Sequence, residues 1–219
     1  MSQGNSRRIE SNQAAPHDRL SEVVGRHLKH VSQKPFSDHT LKAFEVAQRW
    51  LANHQGPIIL DSCCGTGEST RVIAGQHPQA RIIGVDKSIH RLEKHGSDQA
   101  DNYLLLQADL NDFWRLAREA QWSLEKHFIL YPNPYPKRTH LQRRWHAMPC
   151  FADIIGLGGE LTVRSNWQIY IQEFVIALGI AGYTSECELY PKHHTAPITA
   201  FERKYWLSGQ DSWQLVCNL

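Results

Sequence analysis

The chain has 219 residues, of which 41% are hydrophobic and 21% charged, and its formal net charge is +2. That composition can bury a core of ordinary size and excludes a disordered acidic chain. A charge this small gives no whole-molecule attraction to an anion, so any anionic partner must be met by charges arranged locally; the 13 histidines add positive charge only below about pH 6.5.

Residues 1–20 are polar and carry no apolar stretch of the secretory kind. They are expected to form a flexible tail ahead of a single domain over 21–219. From Asp38 to Asn53 the apolar positions Leu41, Phe44, Ala47, Trp50 and Leu51 recur at helical spacing. Gly56-Pro57 breaks that pattern, and Ile58-Ile59-Leu60 reads as a short buried strand ending at Asp61. Gly65 and Gly67 turn the chain into a helix over Glu68–Gln76. A second strand, Arg81–Val85, ends at Asp86, and a helix over Ser88–His95 has Ser88 as its N-cap. A third strand, Tyr103–Gln107, ends near Asp109 and leads to a helix over Asn111–Ala120. The fourth strand, His127–Leu130, runs into Tyr131-Pro132-Asn133-Pro134-Tyr135-Pro136. Helix is expected over Leu141–Ile155, strand over Glu160–Arg164 and helix over Gln168–Leu178. Tyr183–Leu189 and Phe201–Leu207 read as two last strands.

Strands alternating with helices of about ten residues predict an α/β domain with a mostly parallel sheet. No apolar run reaches the ~18 residues of a membrane span. Five cysteines without a CxxC spacing fit a reduced, cytoplasmic chain. No metal-binding Cys/His set is visible, and His193-His194 reads as a solvated pair.

Acids close three successive strands: Asp61, Asp86 and Asp109. In an open α/β sheet the ligand lies outside the carboxyl ends of the strands. Gly65 and Gly67 permit close backbone approach, and Asp86 follows Gly67 by 19 residues, near the ~20 expected of an acid that binds ribose hydroxyls. A dinucleotide requires a third glycine where Thr70 stands, and its pyrophosphate would meet Glu68. S-adenosylmethionine has no phosphate and carries cationic sulfonium and amino groups, so it suits an acidic rim better than NAD does. The alternative, glycines that only turn the chain and aspartates that only cap helices, would be preferred for one such loop alone.

The segment Tyr131-Pro132-Asn133-Pro134-Tyr135-Pro136-Lys137, with His140, Arg143 and Arg144 behind it, resembles a signature of the class I S-adenosylmethionine-dependent methyltransferases, specifically the bacterial tRNA (guanine-N7)-methyltransferase family. Arg164-Ser165-Asn166-Trp167 and Thr199-Ala200-Phe201-Glu202-Arg203 are similar to two further segments of that family. The likeness runs from about Ile58 to the C-terminus. It implies a Rossmann-like fold, S-adenosyl-L-methionine as cofactor and methyl transfer to a tRNA base. It places Asp61, Gly65, Gly67, Asp86 and Asp109 at the cofactor. Asn133 would face both cofactor and reacting base, and Lys137, Arg143, Arg144, Asn166, Thr199, Phe201 and Glu202 would face the substrate. Asn133 and Asn166 stand where the family has aspartates, and Cys63 where a glycine is common. The two asparagines leave open a changed target base, another RNA site, a small-molecule acceptor, or a non-catalytic RNA-binding relative. Monomer and homodimer both remain open.

Between Lys126 and Ala152 there are five Lys/Arg and no acid, interleaved with Tyr131, Tyr135 and Trp145. Cations beside stackable rings suit a phosphate backbone and an unstacked base. A solvated helix face is the ordinary meaning of a charge run. Its place beside the fourth-strand loop favours RNA here.

Overall fold

A computed structural model describes residues 5–30, 32–95, 100–192 and 196–219; His193-His194 lies outside them. Seven strands form one sheet: β1 Ile58–Ser62, β2 Arg81–Asp86, β3 Tyr103–Gln107, β4 Lys126–Leu130, β5 Glu160–Ser165, β6 Glu188–Leu189 and β7 Trp213–Asn218, in the order β3-β2-β1-β4-β5-β7-β6. β1 to β5 are mutually parallel. β7 runs antiparallel to β5, and β6 antiparallel to β7. The mostly parallel α/β fold expected from the alternation is therefore the one observed.

The helices are α1 Leu20–Leu28, α2 Asp38–Leu51, α3 Glu68–Gln76, α4 Ile89–Leu92, α5 Leu110–Glu119, α6 Phe151–Gly156, α7 Gln168–Ile180 and α8 Ala200–Leu207. Successive strand side chains face opposite sides of a sheet, and the core divides accordingly. Ile59 and Ile82 pack with Ile73 and Ala74 of α3, whereas Leu60 and Ile83 join the larger cluster containing α1, α2, α5, α6 and α7. Strands buried on both faces read as continuous apolar runs, which is why β1 and β2 were legible.

Four local expectations change. Phe201–Leu207 is helical, because Thr199 caps α8: its Oγ1 accepts from Glu202 N at 2.9 Å, and Glu202 in turn accepts from Ile198 N at 2.7 Å. The aromatic composition pointed to strand, and the cap decided otherwise. The edge strand over Tyr183–Leu189 shrinks to Glu188–Leu189, and the final strand is instead Trp213–Asn218. The long helix over Leu141–Ile155 is interrupted: Pro149 forces Met148 into an extended conformation (φ −103°, ψ 160°), leaving two 3-10 turns, Arg138–Arg143 and Trp145–Ala147, before α6.

The fourth change concerns the N-terminal segment expected to be a flexible tail. Gln13 is buried and hydrogen-bonded to Glu173 of α7, Ile9 packs on the core, and α1 begins at Leu20 with Leu20, Val23 and Val24 buried. A polar stretch looks like tail when its partners, here Glu173 and Arg144, lie more than a hundred residues away.

Candidate active site

The strand order reverses between β1, which pairs with β2 on one side, and β4 on the other. Ligands of open α/β sheets sit at such a switch point, outside the carboxyl ends. The loop after β1 turns with Cys63, Gly65 and Gly67 all in the left-handed region (φ 64°, 63° and 76°). Gly67 ends as the N-cap of α3, and a Cβ there would lie 2.6 Å from Leu105 Cδ1. A Cβ on Gly65 would meet nothing within 4 Å, so that glycine opens onto space. Cys63 holds the same backbone conformation without a glycine's freedom, which costs about 1–2 kcal/mol.

That space is a cavity of about 220 Å³ walled by Cys63–Thr66, Glu68 and Ser69 from the loop, Leu130 from β4, Thr199, Ala200 and Phe201 from the start of α8, and Arg91 and Lys94 from the α4 region. Glu68 pairs with Arg203, so an ion pair joins α8 to the glycine loop at the cavity. Gly65, which the resemblance placed at the cofactor, and Thr199 and Phe201, which it placed at the substrate, therefore line one cavity. The cations Arg91 and Lys94 were not foreseen, since no spacing rule linked them to the loop.

The three strand-end acids do three different things. Asp61 is fully buried within β1; its Oδ2 accepts from Ser69 Oγ at 2.7 Å and Thr70 Oγ1 at 2.6 Å, while Oδ1 has no partner among the described residues. Burial pushes its carboxyl up to about 6, against the opposing pull of those two hydroxyls. Asp86 ends β2 and is 3% exposed; Oδ2 accepts from Gly65 N and Arg91 Nη1, each at 3.1 Å, and Oδ1 from Ser88 N at 2.8 Å. Ser88 occupies the N-cap position of α4, but its hydroxyl makes no cap bond. Asp109 caps α5 by accepting from Asn111 N at 2.9 Å, so its observed bond is a helix cap.

On the substrate side, Tyr131 and Tyr135 also hold left-handed backbone (φ 51° and 45°), so the loop after β4 is tightly contorted. Asn133 is exposed on it, its Oδ1 accepting from Tyr135 N at 3.3 Å. Lys137 and Arg143 are exposed, take part in no ion pair among the described residues, and Arg143 lies 5.8 Å from the centre of the Tyr135 ring. Arg144 is different: fully buried, it pairs with Glu173 at 2.5 Å. Glu202 is likewise buried, accepting from Tyr131 Oη at 2.8 Å and Arg164 Nη1 at 3.2 Å. Asn166 donates from Nδ2 to Gln210 Oε1 at 2.9 Å. Arg144, Glu202 and Asn166, and Thr199 as the cap of α8, were assigned to substrate by the resemblance and are engaged with protein in this structure. Of the basic run, Lys126 and Arg138 are also paired, with Glu160 and Asp18. Among the described residues no cluster of three or more His, Cys, Asp or Glu side chains could hold a metal ion.

Fold and site together define a Rossmann-like protein with a crevice at its topological switch point. Residues 55–215 match the model of a family described as "Putative methyltransferase", and the chain belongs to that methyltransferase family. It is 26% identical over 171 residues to the tRNA (guanine-N(7)-)-methyltransferase of Thiobacillus denitrificans, covering 73% of this chain and 74% of that one. It is 28% identical to the tRNA (guanine-N(7)-)-methyltransferase of Pseudomonas aeruginosa over 181 residues, covering 75% and 72%. Among solved structures, the 16S rRNA methyltransferase KamB superposes with a TM-score of 0.59 at 16% identity, covering 86% of this chain and 97% of that one. The antibiotic-resistance methyltransferase Kmr gives 0.54 at 17% identity, covering 80% and 92%. Identities this low carry the fold alone.

Proposed function

We propose that the protein transfers a methyl group from S-adenosyl-L-methionine to a guanine N7 of tRNA, in the cytoplasm. The observation that carries the cofactor is the glycine loop that opens onto a cavity, with Asp61 behind it: Asp61 accepts from Ser69 of the cavity wall, and its buried Oδ1 has no partner among the described residues. A buried acceptor left unpaired costs about 1–3 kcal/mol, and a cationic ammonium group is the ligand that relieves it. Asp86, at the end of β2, supplies acceptors for ribose hydroxyls. Gly65 admits close backbone approach, and Phe201 and Leu130 offer apolar wall. When bound, the cofactor supplies an electrophilic methyl group on a sulfonium.

Guanine N7 attacks through a lone pair and has no proton to lose, so the chain need not provide a general base. Its residues act by alignment. Lys137 and Arg143, exposed and in no ion pair among the described residues, are groups available to RNA phosphates. Tyr135 offers a ring to an unstacked base. Asn133 presents an amide where a carboxylate would better stabilise the positive charge that grows on the ring. The relatives' names support tRNA as acceptor, and the exposed cations support RNA over a small molecule.

The test is incubation of the full chain with bulk tRNA and labelled S-adenosylmethionine, followed by nucleoside mass spectrometry. Label in 7-methylguanosine is the expected result. Label in another nucleoside overturns the base assignment, and no label with no calorimetric cofactor binding overturns the enzyme.

A further inference from the structure

We infer that the segment Ser6–Asp18 is a strap that shapes the acceptor side of the site, and that Gln13, Arg144 and Glu173 are its positioning residues rather than RNA contacts. The inference rests on the methyl-transfer reading above for its kinetic consequence, but not for its geometry.

The strap is tied at both ends. At its start, Ser6 N donates to Ser208 Oγ at 3.0 Å, just past α8. Gln210 Nε2 donates to Ser6 O and Arg7 O at 3.0 and 3.2 Å, and the Oε1 of the same Gln210 accepts from Asn166. Further along, Ser11 Oγ donates to Pro136 O at 2.7 Å, Arg138 N donates to Asn12 Oδ1 at 3.0 Å, and Asp18 pairs with Arg138 at 2.6 Å. One polar segment therefore touches the loop after β4 and, through Gln210, the Asn166 turn after β5.

Arg144 locks this arrangement from beneath. It is fully buried, and its donors are spread over three parts of the chain. Nη1 goes to Glu173 Oε2, Nη2 to Gln13 Oε1 at 3.1 Å, and Nε and Nη2 reach Tyr135 O and Lys137 O at 3.1–3.2 Å. Glu173 completes the set, accepting from Gln13 Nε2 at 2.6 Å and His17 N at 2.9 Å through Oε1, and from His146 Nε2 at 3.0 Å. The guanidinium's planar array of five donors is what makes such a junction feasible; a lysine has three donors on a single atom. The carbonyls it holds belong to Tyr135 and Lys137, the residues on either side of Pro136 in the loop after β4. Arg144 fixes where the exposed cation Lys137 and the ring of Tyr135 stand without touching an acceptor itself.

The discriminating variant is Arg144→Lys in the full chain. It can keep the buried charge pair with Glu173 but cannot hold both carbonyls and Gln13 together. The expected outcome is a KM for tRNA raised about tenfold, with S-adenosylmethionine affinity by calorimetry and kcat each within about twofold. Exchange of the Arg138 amide, followed by hydrogen–deuterium exchange, should accelerate. Gln13→Ala, which leaves the Arg144–Glu173 pair in place, should show the same pattern if Arg144→Lys does not fold. Unchanged KM and unchanged Arg138 exchange in both variants would overturn the inference, as would an equal loss of cofactor affinity. If the wild-type chain methylates no RNA, the functional reading fails, and the exchange measurement still decides the strap.

Discussion

At the residue scale, one carboxyl, Asp61, and two amides, Asn133 and Asn166, carry the predictions. Asp61 has a folded-state pKa of about 6 against the usual 3.8. Folding therefore disfavours its ionised form: the stability tied to its proton is present at low pH and lost as pH rises through about 6, amounting to about 3 kcal/mol above that point. Asp61→Asn should raise the melting temperature at pH 8 while weakening S-adenosylmethionine binding at least about tenfold, since the amide oxygen keeps its place but not its charge. In the wild-type chain, cofactor affinity should fall as pH drops below about 6; calorimetry across pH 5–8 checks this, and a flat profile would remove Asp61 from the site. Asn133 gives the complementary case. It is exposed and accepts from Tyr135 N, which an aspartate oxygen could also do, so Asn133→Asp should raise the rate of methyl transfer to guanine without loss of stability. An unchanged single-turnover rate would show that charge at this position does not matter. Asn166 has a structural partner in Gln210, and nothing in the structure explains why it replaces the family's aspartate.

At the element scale, α8 matters most to the site, and the sequence misled there. Phe201, Tyr205, Trp206 and Leu207 look like strand residues by composition. The helix forms because Thr199 accepts from the Glu202 amide of its first turn, and because Glu202, buried, holds Ile198 N ahead of the helix together with Tyr131 Oη and Arg164. Tyr131 Oη, its one proton given to Glu202, accepts from Ser212 Oγ at 2.8 Å, so the end of β4 and the start of α8 are held to one network. Thr199→Ala should therefore cost about 1 kcal/mol of stability, read as a lower urea midpoint, and should also weaken cofactor binding because Thr199–Phe201 wall the cavity. Loss of stability with unchanged cofactor affinity would mean that the α8 wall is not used. Thr199 and Glu202 stand in the Thr-x-x-Glu spacing that favours a helix start, a local signal opposed by the β propensity of the residues that follow. The break at Pro149 was equally visible, whereas α1 was hidden within a polar stretch whose apolar positions, Leu20, Val23 and Val24, fill less than three turns.

At the scale of the whole molecule, the net charge of +2 separates into pairs that hold the fold and cations that are left over. Lys126, Arg138 and Arg144 are paired with Glu160, Asp18 and Glu173. Among the described residues, Lys137 and Arg143 are in no ion pair. Lys137→Ala and Arg143→Ala should each lower the salt dependence of tRNA binding by roughly one in log K against log [salt], and Lys126→Ala should not. Equal slopes for all three would place the RNA elsewhere. Burial works to raise the Glu173 carboxyl, but bonds from His146 and Arg144 and the charge of Arg144 outweigh it and hold the group at about 2. The stability it provides is present above pH 4.5 and is lost as pH falls from there toward 2.

By itself the sequence determined the alternation of helix and strand, the glycine turn, the acids that follow it and the proline-rich loop. Each is written in residues close together, through apolar periodicity and backbone geometry. Only the tertiary structure decided which charges are free. A guanidinium reads the same in sequence whether it faces RNA or a buried carboxylate, and the partner that settles Arg144 is Glu173, 29 residues away, with Gln13 a further 131 residues from Arg144 in the other direction. Desolvation and pairing depend on neighbours in space, and those exist only once the chain has folded.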